Sequence, residues 1–182
     1  MVAFANTTGG NLLVGVDDNG EIAGLRNPEE HDYALTKAVE DLCVPAINYK
    51  KEVVPLTHKK SVLCYSVKAA RKKPHYAKDN EKNRYGRAYV RVEDKTIKAS
   101  REMTQILRRT NTKKNFSFKY GDKEALLMKL LDQQDEITLG EFQAAANIPR
   151  RVASSTLVLL VLAGVLKIIP QEKEDIFKLK NI

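Results

Sequence analysis

The sequence predicts an α+β chain in two parts: a mixed α/β domain over residues 1–109, and a helical module with a terminal hairpin over 121–182. Three observations carry this. Short apolar runs of strand length, bounded by turn residues, recur through the first part. The stretch Thr110-Asn111-Thr112-Lys113-Lys114-Asn115 is polar and unpatterned, so 110–120 reads as a linker. After Gly121 the apolar residues recur at helical spacing instead.

Ala3-Phe4-Ala5 is small and apolar, as at the end of a helix packed closely on a sheet, and the Asn6 amide suits a turn. Gly9-Gly10 frees backbone N–H groups, which makes it a candidate anion-binding turn. Leu12 to Val16 reads as a strand. Asp17-Asp18-Asn19-Gly20 follows as a hairpin turn, since Asn-Gly supplies positive φ, and Glu21 to Leu25 returns. From Pro28, the spacing of Ala34, Leu35, Ala38, Val39 and Leu42 predicts a helix that Pro45 stops. Ile47–Pro55 and Ser61–Val67 are strands joined by Thr57-His58-Lys59-Lys60. Lys68 to Arg87 has no period and is expected as a long functional loop. Ala88–Val92 is a strand, and Ser100 caps a short helix with Met103, Ile106 and Leu107 inward.

In the second part Leu126, Leu127, Leu130 and Leu131 form one stripe, and Thr138-Leu139-Gly140-Glu141 is a capping box that opens a helix through Ala146. Pro149 suits the first position of a third helix, which Gly164 stops. Leu166–Ile169 and Ile176–Leu179 flank a polar loop as two strands. Helix, helix, turn, helix, hairpin is the order of a winged helix-turn-helix.

The net charge of +8 is unevenly spread. Residues 1–50 hold 3 Lys/Arg against 8 Asp/Glu, residues 51–120 hold 20 against 6, and residues 121–182 hold 8 against 9. All the excess lies in the middle, as on a surface that meets a polyanion. Cys43 and Cys64 stand 21 residues apart with no metal-ligand spacing, which fits reduced thiols in a cytosol. The longest apolar run, Leu157–Leu166, is ten residues, about half a membrane span, so no membrane partner is expected. Chain length and composition fit a cytoplasmic globular protein.

The string A-F-A-N-T-x-G-G-x-L-x-x-G-V-D-D-x-G from Ala3 to Gly20, with the I-x-G of Ile22 to Gly24, resembles the Alba-like domain of Schlafen proteins and of bacterial transcriptional regulators. Lys73-Pro74-His75-Tyr76, Tyr89-Val90-Arg91, Thr96 and Ala99-Ser100-Arg101-Glu102 echo the same family, so the likeness covers roughly residues 2–108. The resemblance implies nucleic-acid binding. In nuclease-competent Schlafen relatives, acidic metal ligands come from upstream of the first helix and from near the G-V-D-D strand. Here only Asp17 and Asp18 match the second group, and a carboxylate pair in a turn is ordinary turn chemistry. The chain starts inside what resembles the family's first helix. The family's upstream strand is then expected from a second chain, a swapped segment, or a longer protein of which this is a fragment. The family is sometimes described as ATP-binding, but the chain has no G-x-x-x-x-G-K-[ST], and no cofactor, metal or catalytic residue is expected.

The expected function is therefore non-catalytic binding of DNA or RNA, as in a bacterial transcriptional regulator. Arg71, Lys72, Lys73, Lys78, Lys82, Arg84, Arg87 and Arg91 would hold phosphates, with Tyr76, Tyr85 and His75 among them able to stack on bases. Arg150, Arg151, Ser154 and Ser155, early in the third helix of the second part, would meet base edges. Against that, Glu172, Glu174 and Asp175 make the hairpin loop acidic. The alternatives are a Schlafen-like metal-dependent nuclease and a protein-interaction subunit docking through the winged helix. A homodimer is expected from the habit of regulators and from an open sheet edge.

Overall fold

The chain divides into two units, Met1–Arg91 and Val92–Ile182. The computed structural model describes residues 1–110 and 120–180. The first unit contains α1 (Val2–Asn6), β1 (Gly9–Val14), α2 (Pro28–Leu42), β2 (Cys43–Val44), β3 (Tyr49–Thr57), β4 (Lys60–Lys68), β5 (Tyr76–Ala77) and β6 (Tyr89–Val92), whose last residue begins the second unit. An antiparallel sheet runs in the order β1-β4-β3, and β2 pairs with β5. Alternate residues of β4, namely Leu63, Tyr65 and Val67, are buried on one face, as the period of two requires. Helix α2 packs on β4, and its half-buried or buried positions are Pro28, Asp32, Leu35, Thr36, Val39, Asp41 and Leu42. Ala34 and Ala38, expected inward, face solvent, because the stripe is turned by one position toward Asp32. Asp32 accepts from Tyr65 Oη at 2.9 Å and from Lys51 Nζ at 2.5 Å. The Lys51 ammonium above all, then the Tyr65 hydroxyl, holds its carboxyl below the ordinary carboxylate range.

The first turn differs from the sequence expectation. Asp17-Asp18-Asn19-Gly20 does turn, with Gly20 N–H donating to Asp17 O at 2.9 Å, but Glu21–Leu25 forms no returning strand. The chain leaves β4 at Gly15, whose φ of +102° only glycine adopts readily, and Leu25 rejoins β4 opposite Ser61. Gly24 N–H donates to Gly15 O at 2.9 Å and closes the base of this loop. Val14 pairs with Leu63, so Leu25 takes the place in the ladder that Val16 would have filled. The turn chemistry is local; the strand after it is lost because the neighbouring edge of β4 is filled by one residue only.

Asn6 holds this unit together. Its side chain is 1% exposed and makes three hydrogen bonds to distant backbone: Nδ2 donates to His75 O and Tyr89 O, both at 2.9 Å, and Oδ1 accepts from His75 N–H at 2.7 Å. Ala70 N–H reaches Ala5 O at 2.8 Å beside it. A five-residue helix does not stand alone in water, so α1 exists because these contacts fix it.

In the second unit β7 (Lys95–Lys98) and α3 (Arg101–Thr110) precede α4 (Asp122–Gln134), β8 (Glu136–Thr138), α5 (Leu139–Ala146), α6 (Arg150–Leu162), β9 (Leu166–Ile169) and β10 (Ile176–Leu179). The small sheet runs β8-β10-β9, all antiparallel. Leu127, Leu131, Ile137, Phe142, Leu157 and Phe177 form its dry core. The Thr138 box closes as expected, with Thr138 N–H on Glu141 Oε2 at 2.8 Å and Glu141 N–H on Thr138 Oγ1 at 3.2 Å. Pro149 is the N-cap of α6 rather than its first residue. The division of the units between Arg91 and Val92 differs from the expected break at 110–120: α3 packs on α6 with Ile106 and Leu107 buried, so it belongs with the helices that follow it. Of the expected linker, 111–119 lies outside the described residues.

Replacing Asn6 with alanine strands one buried donor and two buried acceptors, and should lower stability by about 3 kcal/mol or more in urea unfolding. The exposed Asn11–Ser66 pair supplies the control, since Asn11→Ala should cost no more than about 0.5 kcal/mol. Equal losses would remove Asn6 from its central place.

Candidate functional site

The basic segment is built on a rigid base and carries an exposed tip. His75 and β5 hold its start, and Ala77 and Arg87 exchange backbone hydrogen bonds at 2.9 and 2.8 Å, closing 78–86 into a loop. Gly86 is glycine because a Cβ there would sit 2.7 Å from Ala77 O. Lys78 N–H donates to Leu42 O at 2.8 Å, so the loop is also tied to the end of α2. Beyond this base Lys82, Arg84, Tyr85 and Arg87 are exposed, Tyr85 to 79%. The Arg84 guanidinium stands 5.6 Å from the Tyr85 ring centroid, and Arg87 has only a loose contact with Asp79 at 3.7 Å.

The other cations expected here divide between surface and structure. Arg71 and Lys72 are exposed. Lys73 turns inward and donates to Thr7 O at 2.7 Å, at the C-terminal end of α1, where a cation suits the helix dipole; burial lowers its pKa. Arg91 is half-buried with its guanidinium 5.3 Å from the Phe4 ring, and Tyr76 and Lys78 are also half-buried.

His75 is 6% exposed, and its Nδ1 lies 2.9 Å from Pro45 O. A carbonyl only accepts, so Nδ1 carries the proton and Nε2 is the remaining ring nitrogen. His75 lines a cavity of about 510 Å³ together with Ala5, Pro45, Ile47, Arg71 and Lys72. Sequence reading placed His75 only among groups able to stack on bases; the Lys73-Pro74-His75-Tyr76 echo was the signal available.

Gly9 and Gly10 lie inside β1, paired with Lys68 and Val67. A Cβ on Gly10 would meet the Phe4 ring at 2.5 Å, and one on Gly9 would meet Val67 O at 2.6 Å, so close packing accounts for both glycines. Asp17 and Asp18 are exposed in their loop. Among the described residues, no group of three or more His, Cys, Asp or Glu is placed to hold a metal ion.

In the second unit Arg150, Arg151, Ser154 and Ser155 do come together, at a groove of about 610 Å³ that α3 shares through Arg101, Glu102 and Gln105. Arg150, Arg151 and Ser155 are exposed, whereas Ser154 is 7% exposed and donates to Glu102 Oε1 at 2.5 Å. The acids of the hairpin loop are partly consumed inside the unit. Glu174 accepts from Gly140 N–H at 3.0 Å in the first turn of α5 and lies 3.7 Å from Arg150. Asp175 accepts from Ser100 Oγ and from Gln171 N–H, and Ser100 in turn caps α3 by accepting Met103 N–H at 2.9 Å. Only Glu172 of the three acids stays exposed, so the loop's field toward an outside anion is weaker than composition suggests.

A family model described as Schlafen, AlbA_2 matches residues 1–100. No curated protein matches the chain. A solved structure, that of the DIP2311 protein from Corynebacterium diphtheriae, is similar over 90% of this chain at 18% identity with a TM-score of 0.41. The chain spans 26% of that protein's length. No helix among the described residues is long and apolar enough to cross a membrane.

Burial, with the nearby Glu102 and Glu174 carboxylates adding to it, pushes the Asp175 carboxyl above its ordinary value of 3.8, although Ser100 and Gln171 oppose the shift. The folded unit therefore binds this proton more readily than the unfolded chain, and the cost of burying the charge is relieved as pH falls through the folded pKa toward 3.8. Unfolding of the whole chain and of Asp175→Asn between pH 7 and pH 4 should show the natural protein gaining on the variant as pH falls. A gap that moves the other way would mean that the carboxylate is held as a favourable anion.

Proposed function

The chain belongs to the Schlafen, AlbA_2 family, and we propose that it is a non-catalytic nucleic-acid-binding protein acting as a transcriptional regulator in the cytoplasm. The observation that carries this reading is the loop tip. Lys82, Arg84, Tyr85 and Arg87 stand in water on a closed, anchored loop, with an aromatic ring 79% exposed beside a guanidinium. An exposed ring flanked by cations suits a strand of nucleic acid, whose phosphates meet the charges and whose bases offer a stacking face. Such contacts give affinity and strong salt dependence and read no sequence.

The order α4, β8, α5, α6, β9, β10 with a sheet ordered β8-β10-β9 supports reading residues 121–182 as a winged helix with α6 as its recognition helix. Sequence preference, where the protein has one, would come from Arg150, Arg151 and Ser155. The same reading includes self-association, for which the exposed strand β3 offers an unpaired edge. One observation favours a second reading, in which this module docks a protein. Helix α6 carries α3 along its side, and Ser154 is spent on Glu102, so little beyond its first turn is open.

Charge reversal at Lys82, Arg84 and Arg87 should weaken binding to DNA and RNA of any sequence by about tenfold or more at 100 mM salt, and flatten the salt dependence by about one unit of slope for each phosphate no longer held. Fluorescence anisotropy over a salt series reads both; unchanged affinity would remove the loop from the mechanism. Alanine at Arg150 and Arg151 should blunt discrimination between sites, by about 1–3 kcal/mol for each base edge no longer met. An equal loss on every sequence would make those arginines phosphate contacts only.

A further inference from the structure

The cavity beside His75 is a built site that the loop reading does not use. His75 is held at three points: Asn6 fixes its backbone, Oδ1 taking the N–H at 2.7 Å and Nδ2 giving a hydrogen bond to the O at 2.9 Å, and Pro45 O holds the ring through Nδ1–H at 2.9 Å. The ring is therefore oriented before any ligand arrives, and no immobilisation cost remains for it. With Nδ1 committed, Nε2 has no partner among the described residues. Every fully enclosed side-chain nitrogen and oxygen among them has one, so Nε2 is not fully enclosed, and the residue that carries it lines the cavity.

The rest of the wall divides by chemistry. Pro45, Ala46, Ile47 and Ala70 give it apolar lining, and Lys68, Arg71 and Lys72 also line it, with no ion pair among the described residues. An apolar wall with one oriented hydrogen-bonding atom suits a planar heterocycle that offers an N–H or O–H to Nε2. Three cations without ion pairs in the lining suit a phosphate. A volume of about 510 Å³ is enough for one such unit.

We propose that this cavity binds a single unpaired nucleotide, with its base against Pro45 and Ile47, a donor group on His75 Nε2, and its phosphate at Arg71 and Lys72. The nucleotide is either one residue of a single strand or a free mononucleotide. In the first case the site rests on the nucleic-acid reading above and adds to it a preference for unpaired over duplex strands. In the second it stands without that reading.

The test follows the imidazole nitrogens of the full-length chain by NMR, during titration with inorganic phosphate, each of the four nucleoside 5′-monophosphates, a short single-stranded oligonucleotide, and the same sequence as a duplex. At least one monophosphate should shift the His75 Nε2 resonance at concentrations where phosphate does not. Arg71→Ala with Lys72→Ala should weaken that binding about tenfold or more. Because His75 is part of the clamp, the second variant is Ala46→Trp, at an exposed position on the cavity wall; it should block the site and leave the Nδ1 signal in place. A His75 signal that moves with the single strand and not the duplex assigns the strand as the source; movement with monophosphates alone assigns the free nucleotide. Phosphate shifting the resonance as effectively as any nucleotide overturns the proposal in favour of an anion site. Strand binding with a His75 signal silent to strand and monophosphates alike overturns it too, while leaving the nucleic-acid reading intact. Monophosphate binding without strand binding does the reverse.

Discussion

One buried amide orders the first unit. Asn6 sits at the end of a helix too short to persist by itself, and its side chain meets backbone groups 69 and 83 residues away. It supplies partners for a donor and two acceptors that would otherwise be buried without water, which makes the arrangement costly to leave half-formed. Much that matters for function hangs from this point. The His75 backbone is held there, the imidazole is oriented beyond it, and β5 and the basic loop leave from the next residues. Lys73 reinforces the same corner on Thr7 O, so one of the basic cluster's charges is spent on architecture.

The basic loop is tied down at its root. Its base is a backbone-paired pinch between Ala77 and Arg87 that admits only glycine at Gly86, while the cations and Tyr85 project past it. Fixing the ends would lower the ordering cost of the phosphate binding proposed for it, and the side chains past the pinch are long.

The second unit shows how charge counted along a sequence misleads. Glu174 and Asp175 lie in a hairpin loop, where composition predicts repulsion of a polyanion. Both are turned inward, onto the N-terminal turn of α5 and onto the Ser100 cap of α3. Helix N-termini attract carboxylates, and here they draw in acids from a distant loop. The same packing that absorbs those acids brings Glu102 to Ser154 and covers part of α6, so it weakens an electrostatic objection to nucleic acid while narrowing the surface available to read it.

The sequence by itself determined the elements whose signals are local. The strands Leu166–Ile169 and Ile176–Leu179, the Thr138 capping box, the Ser100 cap and the α2 helix were all legible, because period, caps and turn residues act over a few neighbouring positions. The Ala3–Gly20 string showed the family for the same reason. Tertiary structure alone decided the fate of Glu21–Leu25, the allegiance of α3, the burial of Lys73 and Ser154, and the cavity at His75. Each of these turns on a contact between residues 30 to 75 positions apart, such as His75 with Pro45, Leu25 with Ser61 or Ser100 with Asp175. A residue's own neighbours carry no record of which distant carbonyl or carboxylate will be unsatisfied when the core closes, and that unmet hydrogen bond is what chose its place.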